Sequence, residues 1–233
     1  MDRTLSSDKN TDRDMLCHIG RHTLSYLNLL RAHGFIRPEK VSSVLNVACG
    51  NAYESVALED FFSCAHISAC DLHLPYGCIP KAQQQHLSRT EFFTTNMDSA
   101  DTLPKTEKPF DFVLIQHPNV GFCSVDLWLQ NIYSSLGENA TIVVVLMFSE
   151  EHDAFMRKYL RSHLGEFYTI VFEGKNPTPA ELGMNHLIVL KPLRERKSQK
   201  YLSESIARSV QTIASDEQRK SDILQDLYGH IPG

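Results

Sequence analysis

The eleven residues from Val44 to Glu54 constrain this chain more than any others. Val44-Leu45-Asn46-Val47 clusters as a buried strand would. Ala48-Cys49-Gly50-Asn51-Ala52 is a run of small or turn-prone residues, and Tyr53 to Phe62 has a helical pattern. A strand, a small-residue turn and a helix start let backbone N–H groups approach a ligand closely. Gly50 can take a positive φ, while Ala48 and Ala52 keep side-chain bulk away from the turn. This element predicts a nucleotide-type α/β domain.

The rest of the chain fits that expectation. Before the turn, Leu16, Ile19, Leu24, Tyr26, Leu27, Leu29 and Leu30 form a helical stripe over Met15–His33, stopped by Gly34 and then Pro38. Residues 1–12 are polar and expected to be flexible. After it, strands are expected at His66–Asp71, Glu91–Thr95, Phe110–Gln116 and Ala140–Met147, with helices at Pro80–Ser88, Val125–Leu136 and Glu150–Leu164. Two further strands, Phe167–Glu173 and His186–Leu190, follow with no helix between them and predict an antiparallel pair. The alternation implies a Rossmann-like α/β fold over 13–192, a seven-stranded, mostly parallel sheet with helices on both faces.

From residue 193 the composition changes. Arg194, Arg196, Lys197 and Lys200 form a basic linker, and Leu202, Ile206, Val210 and Ile213 mark an amphipathic helix. Residues 193–233 read as an appendage whose apolar stripe needs burial, on the domain or by self-association.

Composition narrows the function. At 42% hydrophobic the chain can bury a large core, and a net charge of −5 gives no global basic field, which disfavours indiscriminate nucleic-acid binding. The first residues hold no apolar segment of a secretory leader, and the longest apolar run, Ile142–Phe148, is too short to span a membrane. The six cysteines form no CxxC pair, and no histidine–carboxylate spacing suggests a metal site. They read as reduced thiols in a cytoplasmic protein.

The order and spacing of these elements resemble the class I S-adenosylmethionine-dependent methyltransferases. That family carries an acid followed by Gly-x-Gly-x-Gly after its first strand. Here Asn46 stands at the acid, and Ala48, Gly50 and Ala52 stand at the glycines. Asp71 ends the second strand 21 residues after Gly50, where the family uses a carboxylate for the ribose hydroxyls. Asp98 precedes Leu103-Pro104, where the family often carries an acid for the adenine amino group; Ser99 fits the same register. The resemblance implies S-adenosylmethionine as cofactor, held by Asn46, Ala48, Cys49, Gly50, Asn51, Asp71, Leu72, Met97, Asp98 and Gln116. An NAD-linked reductase is disfavoured, because Tyr53 stands where its fingerprint takes glycine.

Family members place reacting groups after the fourth strand. There this chain reads Gln116-His117-Pro118-Asn119, which does not spell the Asp/Asn-Pro-Pro-aromatic motif of the amino-group methyltransferases. His117 is the candidate general base, since an imidazole titrates near neutrality. The acceptor is expected to be a small molecule or a macromolecule. Val120, Phe122, Leu182 and Met184 near the pocket lean toward a small, partly apolar one. The competing expectation is a non-catalytic methyltransferase-fold module that binds a partner or senses the cofactor.

Overall fold

The computed structural model describes residues 7–72, 87–98, 103–104, 106–118, 124–175 and 186–193, with side chains from His18 onward. The helix expected at 80–88 lies almost wholly outside these residues. So do Ser99, Asn119–Cys123, the loop 176–185 and the appendage 194–233.

Seven strands form one sheet in the order β3-β2-β1-β4-β5-β7-β6. They are β1 (Ser43–Val47), β2 (His66–Asp71), β3 (Thr90–Thr94), β4 (Phe110–Gln116), β5 (Leu136–Leu146), β6 (Tyr168–Lys175) and β7 (His186–Pro192). The five strands β3, β2, β1, β4 and β5 pair in parallel, whereas β7 is antiparallel to both β5 and β6. The expected antiparallel pair is therefore present at one edge of the sheet, with β6 outermost and β7 beside β5.

Position in the sheet explains the burial. Every residue of β1 is buried, as a central parallel strand covered on both faces requires. At the edge, β6 alternates after its buried first residue, so one face packs and the other meets solvent. Alternate residues Val44, Ile67, Phe112, Leu114, Val143, Val145, Leu187 and Val189 form one apolar face. Tyr26, Leu27 and Leu30 of α1 (Ser7–Ala32) and Leu58 of α2 (Ser55–Phe61) close over it. Two more helices are described, α3 (Val125–Tyr133) and α4 (Ser149–Arg161).

The first helix begins at Ser7, not near Met15, and takes in residues expected to be flexible. An apolar stripe marks only the part of a helix that is packed, so its polar first turns carry no such signal. The fifth strand likewise starts at Leu136, four residues before Ala140. Gly137-Glu138-Asn139 reads as a turn, but pairing of Leu136 with Phe110 extends the strand through it.

Two polar anchors, the buried Glu59 and the half-buried Asp111, hold the starts of strands in place. Glu59 accepts from the backbone N–H of Arg89 at 2.8 Å and the hydroxyl of Thr90 at 2.8 Å, which ties the start of β3 to α2. Asp111 accepts from the N–H of Ser42 at 2.8 Å and that of Ser43 at 3.3 Å, which ties the start of β1 to β4.

Candidate functional site

The turn after β1 adopts a conformation for which glycine is the usual residue. Ala48, Gly50 and Ala52 all have positive φ, 55°, 49° and 54°. An alternating left-handed path is what a Gly-x-Gly-x-Gly sequence would allow, and this chain follows it with two alanines. The left-handed region costs an L-residue roughly 1–2 kcal/mol, so the turn is strained at two positions. A Cβ placed on Gly50 would meet no atom of the described residues within 4 Å, which leaves room over the turn among them.

That strain yields an expected result. Ala48 is only half-buried, and Ala48→Gly should stabilise the protein by about 1 kcal/mol, raising Tm by about 2–4 °C in calorimetry. The Ala52 methyl is fully buried against Cys49, Ala69 and Phe92. Ala52→Gly loses that packing and should gain less. A fall in Tm for Ala48→Gly would mean that the turn is not strained at this residue.

Neighbouring strand ends hold the turn. Asp71, at the end of β2, accepts from the Gly50 N–H at 2.9 Å, and Cys49 N–H donates to the Cys70 carbonyl at 3.1 Å. The Cys49 thiol is buried, and burial together with Glu54 pushes its pKa far above the ordinary range. Burial, with Asp71 nearby, pushes Cys70 up to about 12. Neither thiol is a nucleophile at neutral pH. Leu72, just past Asp71, is half-exposed.

Asn46 is fully buried under the turn and reaches back to α2. Its amide nitrogen donates to Glu54 Oε1 at 2.7 Å and Ser55 Oγ at 3.3 Å. Its committed nitrogen makes Asn46 a support for Glu54. Glu54 itself was missed in the sequence. Its carboxylate is buried with no ion pair among the described residues, and burial raises its pKa from 4.5 to about 7. An acid therefore does sit beneath the turn, delivered by the start of α2 eight residues after the position that was expected to carry it.

Helix α1 supplies a second missed group. Tyr26 is fully buried and donates from its hydroxyl to Gln116 Oε1, at the end of β4, at 2.9 Å. Further along, the Arg31 guanidinium lies 5.7 Å from the Phe61 ring centre at the end of α2. The two helices thus run in the same direction, and residues of α1 before Tyr26 project beyond the carboxyl ends of the strands. His22 and His18 lie one and two turns beyond Tyr26, their rings edge-to-face with centroids 4.6 Å apart.

His117 follows β4 in the left-handed region, φ 52°, with its N–H donating to the Val145 carbonyl at 2.9 Å. Its Nε2 is shielded from solvent and has no hydrogen-bond partner among the described residues. Burial lowers its pKa, and the Glu151 carboxylate opposes this only in part. The ring is therefore neutral at pH 7 and its buried nitrogen can accept a proton. An NMR titration of His117 should place its pKa below 6.5, the ordinary imidazole value. A value above that would mean Glu151 dominates.

Met97 and Asp98 lie beyond β3. Met97 is buried with its sulfur 3.8 Å from the Cys70 Sγ, and its carbonyl accepts from Asn131 of α3 at 2.9 Å. Asp98 is exposed, and its Oδ1 accepts from the Trp128 indole at 2.8 Å. Asn51 is exposed at the rim. The predicted residues thus gather at the carboxyl ends of β1, β2, β3 and β4, where open α/β sheets bind ligands. No group of three or more metal-ligating side chains occurs among the described residues.

No family model and no curated protein matches the sequence. Solved structures match the fold. The plantazolicin methyltransferase BpumL, in complex with SAH, aligns over 82% of this chain and 92% of its own at 13% identity, with a TM-score of 0.55. The mitomycin 7-O-methyltransferase MmcR aligns over 80% of this chain at 12% identity, TM-score 0.54. This chain spans only 57% of the length of MmcR. An rRNA methylase from Streptococcus thermophilus aligns over 70% of this chain and 95% of its own at 15% identity, TM-score 0.51.

Proposed function

Because the chain has the class I methyltransferase fold, we propose that it binds S-adenosylmethionine and transfers its methyl group to an acceptor held under α1. The observation that carries this reading is the turn. Two alanines hold the left-handed path of a glycine-rich phosphate- or nucleoside-binding loop, with Asp71 bonded to its centre. The substituted letters thus leave the backbone path intact. A buried Glu54 with no described cation beside it also suits a ligand that brings positive charge.

In this reading Asp71 holds the ribose hydroxyls, and the room over Gly50 takes the methionine part. Met97 and Asp98 border the adenine. Glu54 supplies the negative charge that Asn46 lacks. When bound, S-adenosylmethionine supplies a methyl carbon on a sulfonium, already activated for in-line displacement. The protein's own task is to align the acceptor and exclude water. Tyr26 and Gln116 fix the floor beside the end of β4, and α1 walls the site. His117 is the base for the acceptor's proton where that acceptor must lose one.

The acceptor is a small molecule in this reading, as for MmcR, which is named for a mitomycin 7-O position. A neutral base at His117 suits a hydroxyl or an amine. The setting is cytoplasmic, consistent with buried free thiols at Cys49 and Cys70. No helix among the described residues is long and apolar enough to cross a membrane.

Calorimetric titration with S-adenosylmethionine and S-adenosylhomocysteine tests the proposal. Micromolar binding of both is expected. No heat at millimolar ligand, with the protein folded by circular dichroism, would overturn it.

A further inference from the structure

At the opposite, amino-terminal edge of the sheet lies a cavity of about 390 Å³, bordered by Arg37, Lys40, Asp111, Asn139, Thr141 and Lys191. Its size falls within the range of small-molecule sites. Lys191, on β7, is half-buried at its floor. The ammonium donates to Thr141 Oγ1 at 2.6 Å, to the Asn139 carbonyl at 3.2 Å and, weakly, to the Phe35 carbonyl at 3.5 Å.

All three acceptors are neutral. No carboxylate among the described residues lies within ion-pair distance of Lys191, Arg37 or Lys40. The one acid among the described residues of the cavity wall, Asp111, is hydrogen-bonded elsewhere. Its Oδ2 accepts from the Ser42 N–H, the Ser42 hydroxyl and the Ser43 N–H at 2.8, 2.8 and 3.3 Å. A half-buried ammonium without a counterion is disfavoured by desolvation, and burial pulls the Lys191 pKa below its ordinary value. Arg37 precedes the short helical turn Pro38–Lys40 and Lys40 ends it; both are exposed on the rim, where they add two further positive charges.

We propose that this cavity binds a small organic anion of the phosphate or carboxylate class. Lys191 supplies charge at the floor, and Arg37 and Lys40 close on the ligand from the rim. The 3.5 Å bond to Phe35 is the weakest of the three, and its proton turns to the anion; the Thr141 hydroxyl already donates to the Phe35 carbonyl at 3.2 Å. A guanidinium offers the paired donors that suit either oxyanion. The site lies at the far end of the strands from Gly50 and Asp71, and is thus distinct from the cofactor site.

The test uses the full chain, with pyrophosphate and citrate as probes against sodium chloride at matched ionic strength. Calorimetry should show saturable binding of at least one probe, with a rise in Tm that sodium chloride does not reproduce. A pyrophosphate response alone assigns phosphate ligands, a citrate response alone assigns carboxylates, and either supports the site. The double variant Arg37→Gln, Lys40→Gln alters only exposed side chains and should weaken binding about tenfold or more. Asp71→Ala, at the other end of the sheet, should leave it unchanged. Equal responses to all three salts, or undiminished binding by the double variant, would overturn the proposal.

Discussion

Replacing Glu54 with glutamine should make the protein more stable at pH 8 by about 3 kcal/mol and leave it nearly unchanged at pH 4.5. Proton linkage sets the sign. The folded-state pKa of Glu54 is raised to about 7 from 4.5. Between those values the folded protein holds a proton that the unfolded chain has lost, so stability falls as pH rises through the window. The stabilisation is fully present below pH 4.5 and is lost as pH passes about 7. A shift of this size corresponds to roughly 1.4 kcal/mol per unit, which sets the magnitude. Burial is the first cause, and the bond from Asn46 offsets only part of it. Glutamine keeps an acceptor for the Asn46 amide and removes the charge. Urea denaturation of both proteins from pH 4.5 to 8 measures the difference directly, because other titrating groups cancel. Parallel curves would mean that Glu54 is solvated or paired.

Glu54→Gln should also separate structure from function. If the buried charge meets the ammonium of the ligand's amino-acid part, the variant loses affinity for S-adenosylmethionine and S-adenosylhomocysteine alike, since both carry that ammonium. The variant would then be more stable and a poorer binder, a trade expected where a site holds an unfavourable charge ready for its ligand.

Asp71→Ala carries the second large effect. Hydrogen bonds to a charged group contribute about 1.5–3 kcal/mol each, so if Asp71 holds the ribose hydroxyls as proposed, its loss should weaken cofactor binding by about a hundredfold or more. The same carboxylate accepts from the Gly50 N–H at 2.9 Å, so the turn loses support as well. Asp71→Asn distinguishes the two contributions. Its amide oxygen can still accept from Gly50, and it should bind the cofactor with an affinity between wild type and Asp71→Ala. Titration with S-adenosylhomocysteine beside urea denaturation reports both. Wild-type affinity in Asp71→Ala would remove Asp71 from the ribose.

Much of this fold was legible because burial leaves a pattern. The strands His66–Asp71 and Phe110–Gln116 have the expected boundaries, since apolar-rich runs closed by Asp71 or by Gln116-His117-Pro118 mark both ends. The turn was legible from its small residues. Boundaries failed where nothing apolar marks them, at the polar first turns of α1 and at Gly137-Glu138-Asn139 of β5. Glu54 had a signal that was passed over. It lies one helical turn before the buried Leu58 and so shares its face. An acid on the apolar face of a short helix announces a buried carboxylate.

By itself the sequence determined the alternation of strands and helices, the strand–turn–helix at its centre and the carboxylate 21 residues beyond it. These are local properties, set by periodicity and by the φ a small residue tolerates. Only the tertiary structure decided that Tyr26 reaches Gln116, 90 residues away, that Asn46 serves Glu54, and that β7 inserts between β5 and β6. It also placed Lys191 beside Phe35 and Thr141 at the far end of the sheet. The physical reason is that charge and hydrogen bonding take their strength from desolvation. How far a group is desolvated depends on neighbours distant in the chain, which no local pattern records.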